Sequence, residues 1–151
     1  MKITKVQTTH VEVPADEPLA NGPSEKGAVR KLIATKISTD EGLQGISVAF
    51  FGAAITPALK SAIDSLGALA VGMDPQLTEA VHAKFREAGS HAGPGGIFTL
   101  ASSAIDIALW DIKGKAAGIS RHGFAKAAQQ LRHRLACGLA FDIPQRDVDG
   151  G

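Results

Sequence analysis

The spacing of apolar residues changes once along this chain. Through residue 52 they alternate with polar ones, and from Ile55 to Gly118 they recur every three or four residues. A block of strands followed by a block of helices specifies an α+β fold, because consecutive strands pair with one another and the helices are left to cover the sheet.

The strand block resolves into three pieces. ITKVQTTHVEV, residues 3–13, is rich in β-branched side chains and ends at Pro14. PADEPLANGPSEKGAVR carries three prolines and two glycines among polar residues, so it reads as a surface loop. KLIATKIST places Ile33, Thr35 and Ile37 on one face, DEG at residues 40–42 supplies a turn, and GISVAFFG at residues 45–52 returns as the second arm of a hairpin. The expected sheet is a three-stranded antiparallel meander with one apolar face that needs a covering layer.

Three helices are expected to form that layer. Thr56 with Pro57 reads as an N-cap and first-position pair, and Ile55, Leu59, Ile63, Leu66 and Ala70 share a face as far as Gly72. Asp74 with Pro75 repeats the start signal before Leu77, Val81 and Phe85, which stack at intervals of four ahead of Gly89. SHAGPGG, residues 90–96, follows a helix rather than a strand and lacks a Gly-Lys-Ser or Gly-Lys-Thr continuation, so it reads as an interhelical loop and not a phosphate cradle.

The third helix, within ASSAIDIALWDIKGKAAG at residues 101–118, holds the residues that look most like chemistry. Ile105, Leu109, Ile112 and Ala116 form its buried stripe. Asp106 and Asp111 are five apart, roughly 140° around the axis, so they cannot chelate one ion. Lys113 and Lys115 are two apart, roughly 160° around the axis, so a helix cannot aim both at one substrate. Asp111 precedes Lys115 by four residues, the favourable order for a helical ion pair, and both lysines are expected on a solvated face. His82 and His91 are expected to be structural or solvated.

Composition excludes other classes. Sixteen Lys and Arg against 15 Asp and Glu leave a formal charge of +1, which gives no electrostatic reason for a nucleic-acid or membrane-surface partner. The single cysteine, Cys137, cannot form an internal disulfide, and no basic and apolar signal segment precedes the first strand, so a cytoplasmic location is expected. The longest apolar-rich stretch, residues 50–73, is broken by Pro57, Lys60, Asp64 and three glycines and does not read as a bilayer span.

A meander with a long polar loop after its first strand, followed by helices ending in IDIALWDIKGKAAG at residues 105–118, resembles the N-terminal capping domain of the enolase superfamily, in its mandelate racemase and muconate lactonizing branch. Within it, AGSHAGPGGIFTLASSAIDIALWDIKGKAAG looks most like the acid-sugar dehydratases of the galactarate and talarate type. The resemblance covers residues 1–118. It implies a lyase or isomerase that abstracts the proton α to the carboxylate of a sugar-acid substrate on a Mg²⁺ ion held by a (β/α) barrel, with the cap closing over the substrate. The family's own Lys-x-Lys lies on a barrel strand, so Lys113 and Lys115 are not its counterparts.

The resemblance further implies two substrate-facing loops, by position residues 15–28 and 49–54, with Leu19, Asn21 and Phe51 as pocket-lining candidates. No catalytic residue or metal ligand is expected in this chain, and no bound Mg²⁺. A barrel needs about 200–250 residues, and 33 follow Gly118. Residues 119–135 depart from the family pattern, and ACGLAFDIP from Ala136 again looks like the start of a barrel strand. A frame shift over residues 119–135, later restored, is one account, and a diverged tail is the other. His122, His133 and Cys137 fit no common zinc spacing. Two functional readings stay open: a cap fragment that is inactive alone, and a stand-alone α+β binding module that has kept the cap fold. Assembly into a homo-oligomer is open in both.

Overall fold

The computed structural model describes residues 1–14, 29–92 and 95–119. Three strands come first, β1 (Ile3–Pro14), β2 (Val29–Thr39) and β3 (Gln44–Ala49), then a short 3-10 turn at Ala53–Ile55 and three helices, α1 (Thr56–Ala70), α2 (Thr78–Ala88) and α3 (Gly96–Ala116). The sheet is antiparallel in the order β1-β2-β3, the expected meander. Its hairpin closes by hydrogen bonds from Thr39 N to Leu43 O (3.0 Å) and from Gly42 N to Thr39 O (3.2 Å). Gly42 takes φ 82°, where a side chain would be strained.

Alternation along the strands divides the sheet into two faces. Val6, Thr8 and His10 stand opposite Ile37, Thr35 and Ile33, and Gly45, Ser47 and Ala49 stand opposite the same three residues on the other side. Ile33, Thr35 and Ile37 are fully buried under the helices, with α1 crossing β1 and α3 crossing β3. The helices approach closely because their sheet-facing residues are small. Ala101, Ala104 and Ala108 are buried on α3, and a Cβ on Gly67 of α1 would lie 2.7 Å from Val6 Cγ1. Phe85, Val81, Leu59, Ile63, Ile105, Leu109 and Ile112 complete one continuous core.

The helix boundaries differ from expectation in physically simple ways. Thr56 does not cap α1. It is the helix's first residue, preceded by the 3-10 turn, and its hydroxyl donates back to Gly52 O at 2.8 Å. Ile55 therefore lies outside the buried stripe and is exposed. Asp74 and Pro75 form a separate turn, with Gln76 N donating to Asp74 Oδ1 at 2.9 Å, and α2 begins only at Thr78. Leu77 is thus the residue before the helix and stands 60% exposed instead of stacking under Val81. Ala116 is exposed in the last turn of α3, and β3 ends at Ala49, three residues before the expected Gly52.

One electrostatic tie joins α1 to β1. The hydroxyl of Thr8 donates to Asp64 Oδ1, and Lys60 Nζ donates to Asp64 Oδ2 at 2.7 Å. Partial burial alone would raise the Asp64 pKa, but the hydrogen bonds from Lys60 and Thr8 and the charge of Lys60 outweigh it and hold the carboxyl below its ordinary 3.8. A carboxyl whose pKa is lower in the folded state stabilises the fold above its unfolded value, and that contribution fades as pH falls through the folded value. The difference in urea midpoint between about pH 6 and about pH 3 should accordingly be smaller in an Asp64→Asn chain than in the unmodified one. Equal differences would show that this pair does not couple to folding.

Candidate functional site

Antiparallel connection brings three chain ends to one end of the sheet. The last residue of β1, Pro14, pairs with the first of β2, Val29, and Ala49 at the end of β3 pairs with Ile33. β1 and β3 therefore both finish towards the same end of the sheet, on either side of β2. Residues 15–28, and with them Leu19 and Asn21, lie outside the described residues.

Phe51 is half-buried and packs against the core cluster, while its neighbour Phe50 is 53% exposed. Phe50 continues the alternation of Ile46 and Val48, which face outward at 48% and 54% exposure. That alternation was readable in the sequence and would have marked Phe50 as the more accessible aromatic of the pair.

The charged groups of α3 are all engaged. Lys113 Nζ donates to Thr78 Oγ1 at 3.1 Å and sits 4.6 Å from the centre of the Trp110 ring. Lys115 Nζ pairs with Asp111 Oδ2 at 2.8 Å, the expected ion pair, and also donates to Gln44 O at 2.5 Å. Both lysines were expected on a solvated face; Lys115 is exposed and Lys113 half-buried, and each also reaches a neighbouring element, Lys113 the start of α2 and Lys115 the start of β3. Asp111, nearly buried, accepts the Ile46 amide at 2.9 Å.

On the face towards α2, Asp106 Oδ1 lies 2.8 Å from His82 Nε2, and His82 Nδ1 lies 3.2 Å from Ser102 Oγ. This Ser-His-Asp series ties two helices together. Ser102 lies within α3 and His82 within α2. His82, expected to be structural or solvated, thus joins α2 to α3.

Among the described residues no group of three or more His, Cys, Asp or Glu could hold a metal ion. The donor set does not fit Mg²⁺: Asp106 and Asp111 point to different elements and each already has partners. His122, His133 and Cys137 lie outside the described residues, as does the departure at residues 119–135 beyond Ile119. An open cleft of about 500 Å³ between α1 and the connection from α2 to α3 is lined by Leu66, Leu69, Gly89, Ile97 and Phe98 and carries no charged side chain. No helix among the described residues is long and apolar enough to cross a membrane.

Comparison with known proteins identifies the fold. The family model for the mandelate racemase / muconate lactonizing enzyme N-terminal domain matches residues 3–123. D-galactarolactone cycloisomerase of Agrobacterium fabrum is 35% identical over 122 residues, 80% of this chain and 31% of the relative. D-galactonate dehydratase of Verminephrobacter eiseniae is 31% identical over 119 residues, 76% of this chain and 30% of the relative. Among solved structures, L-talarate dehydratase from Polaromonas sp. JS666, complexed with Mg and L-glucarate, superposes with a TM-score of 0.67 at 28% identity, over 78% of this chain and 33% of that one. The chain thus spans about a third of the length of these relatives. With its three-stranded meander and the helices that follow it, the chain belongs to the enolase superfamily as an N-terminal domain of the mandelate racemase / muconate lactonizing enzyme family.

Proposed function

We propose that residues 1–118 form the substrate-closing cap of a Mg²⁺-dependent acid-sugar dehydratase or racemase-like enzyme and are inactive alone. The two loops, residues 15–28 with Leu19 and Asn21 and residues 49–54 with Phe51, cover the substrate in this reading. The reaction in this reading is abstraction of the proton α to a carboxylate, and a bound Mg²⁺ would supply charge stabilisation for it. The residues described here contribute neither base nor metal ligand to it. Their part is to exclude water and orient the substrate from above.

The observation that favours a cap over a stand-alone module is the outward side of α3. Ile107 and Trp110, three residues apart, are 40% and 38% exposed, and Leu77 beside the start of α2 is 60% exposed. A module adapted to exist alone would carry polar residues on that stripe, whereas a cap needs it apolar to seat on a second domain.

The test is a chimaera in which residues 1–118 replace the corresponding cap of the Agrobacterium fabrum cycloisomerase. Metal-dependent turnover is expected from the chimaera and none from the isolated chain given Mg²⁺ and a panel of sugar acids. A folded chimaera without turnover, or metal-dependent turnover by the chain alone, overturns the proposal.

A further inference from the structure

The free edge of β3 is closed by side chains. The bond from Thr39 N to Leu43 O fixes the phase of the β2–β3 ladder, so Gly45, Ser47 and Ala49 direct their backbone groups towards β2, while Gln44, Ile46 and Val48 direct theirs away from the sheet. Two of those outward groups have partners on α3. The Ile46 amide donates to Asp111 Oδ2 at 2.9 Å, the Gln44 carbonyl accepts from Lys115 Nζ at 2.5 Å, and the two side chains are joined at 2.8 Å. An outward carbonyl and an outward amide that bracket one residue, here Gly45, are the two groups to which a single residue of a parallel neighbouring strand would bond. The carboxylate stands where that residue's carbonyl would be, and the ammonium where its N–H would be.

Two more contacts fasten the same stretch. Ser47 Oγ donates to Ala104 O at 2.5 Å, and Gly45 lies so close to α3 that a Cβ would come within 2.0 Å of Ala108 O. Only Phe50 and Phe51 separate β3 from Gly52, whose carbonyl is held by the Thr56 hydroxyl at 2.8 Å. The position of β3 along α3 therefore sets where the loop at residues 49–54 begins.

We infer that the Asp111–Lys115 pair is a surrogate strand that holds β3 in register and thereby positions the loop after it. Asp111 and Lys115 are positioning residues, not catalytic ones. This assignment of purpose rests on the cap reading above, but the lock itself is a property of the isolated chain and is tested there.

Amide hydrogen exchange followed by NMR separates a local lock from general stability. Asp111→Ala is expected to speed exchange at Gly45, Ser47 and Ala49 by at least about tenfold, with the β1–β2 ladder amides of Lys36 and Ala34 unchanged and the Phe51 ring resonances shifted. Asp111→Asn keeps an acceptor for the Ile46 amide and should recover most of the protection. Lys115→Met, which keeps the stem and loses the ammonium, is the milder second variant if Asp111→Ala does not fold. Uniform acceleration across both ladders, or unchanged exchange at β3, overturns the inference. Neither readout involves substrate, so failure of the chimaera to turn over and failure of the lock are independent results.

Discussion

A Gly45→Ala chain is expected to lose about 3 kcal/mol of stability, the upper end of what overpacking costs. The methyl would sit 2.0 Å from Ala108 O and 2.8 Å from Ile112 Cγ1. The first of these is backbone in the middle of α3, so no rotamer change relieves the contact. Either β3 or α3 must move by more than an ångström, and any such movement pulls Ser47 from Ala104 and Ile46 from Asp111. Because domains of this size retain only about 5–15 kcal/mol, the urea midpoint should fall visibly, with the loss concentrated in β3. Gly67→Ala is the control: its methyl would meet the Val6 side chain at 2.7 Å, but alanine also gains about 1 kcal/mol of helix propensity, so the net effect is smaller. Equal losses in the two variants would show that the approach of β3 to α3 is not the tight contact in this fold.

Phe85→Ala should cost about 3–5 kcal/mol, as deletion of a fully buried ring does. Phe85 is the largest of the completely buried side chains and meets the His82 ring edge-on with centroids 6.1 Å apart. Its loss would empty the space between α2 and the rest of the core, which α2 can close only by giving up the His82–Asp106 bond. Trp110→Ala makes the informative contrast. It removes the chain's single tryptophan, a residue 38% exposed that carries the Lys113 ammonium over its ring, and about 1 kcal/mol is expected for it. Thermal unfolding of both variants checks the ranking. A Trp110→Ala loss as large as that of Phe85→Ala would mean that Trp110 is a core residue and would remove the exposed stripe that supports the cap reading.

Much of the fold could be read from the chain because its signals are local. Ile33, Thr35 and Ile37 share a face wherever residues 31–39 are extended, and Leu59, Ile63 and Leu66 share one wherever residues 56–70 are helical, so burial followed from period alone. The Asp111–Lys115 pair was legible for the same reason, since four residues along a helix are one turn. The family resemblance rested on IDIALWDIKGKAAG, a run whose side chains pack in the core and tie α3 to its neighbours. Helix starts were less secure. Ser, Thr or Asp before Pro announces either a helix or a turn, and at Asp74 the turn came first, which moved Leu77 out of the core.

The site was less legible than the fold. Leu19, Asn21 and Phe51 were chosen by position along two loops, and no spacing rule distinguishes a pocket-facing loop residue from its neighbour. Phe50 and Phe51 are adjacent and identical in type; the alternation of Ile46 and Val48 carries on to mark Phe50 as the exposed one, but it does not say which of the two lies towards a substrate.

By itself the sequence determined the element types, their order and the faces they bury, because these depend on residues a few positions apart. The tertiary structure alone decided what Asp111 and Lys115 bond to beyond each other. Ile46 and Gln44 lie more than 60 residues away along the chain, and they meet the pair only once a small-residue stripe on α3 has let the helix settle onto β3. A contact over that separation depends on how two elements dock, which no local period encodes.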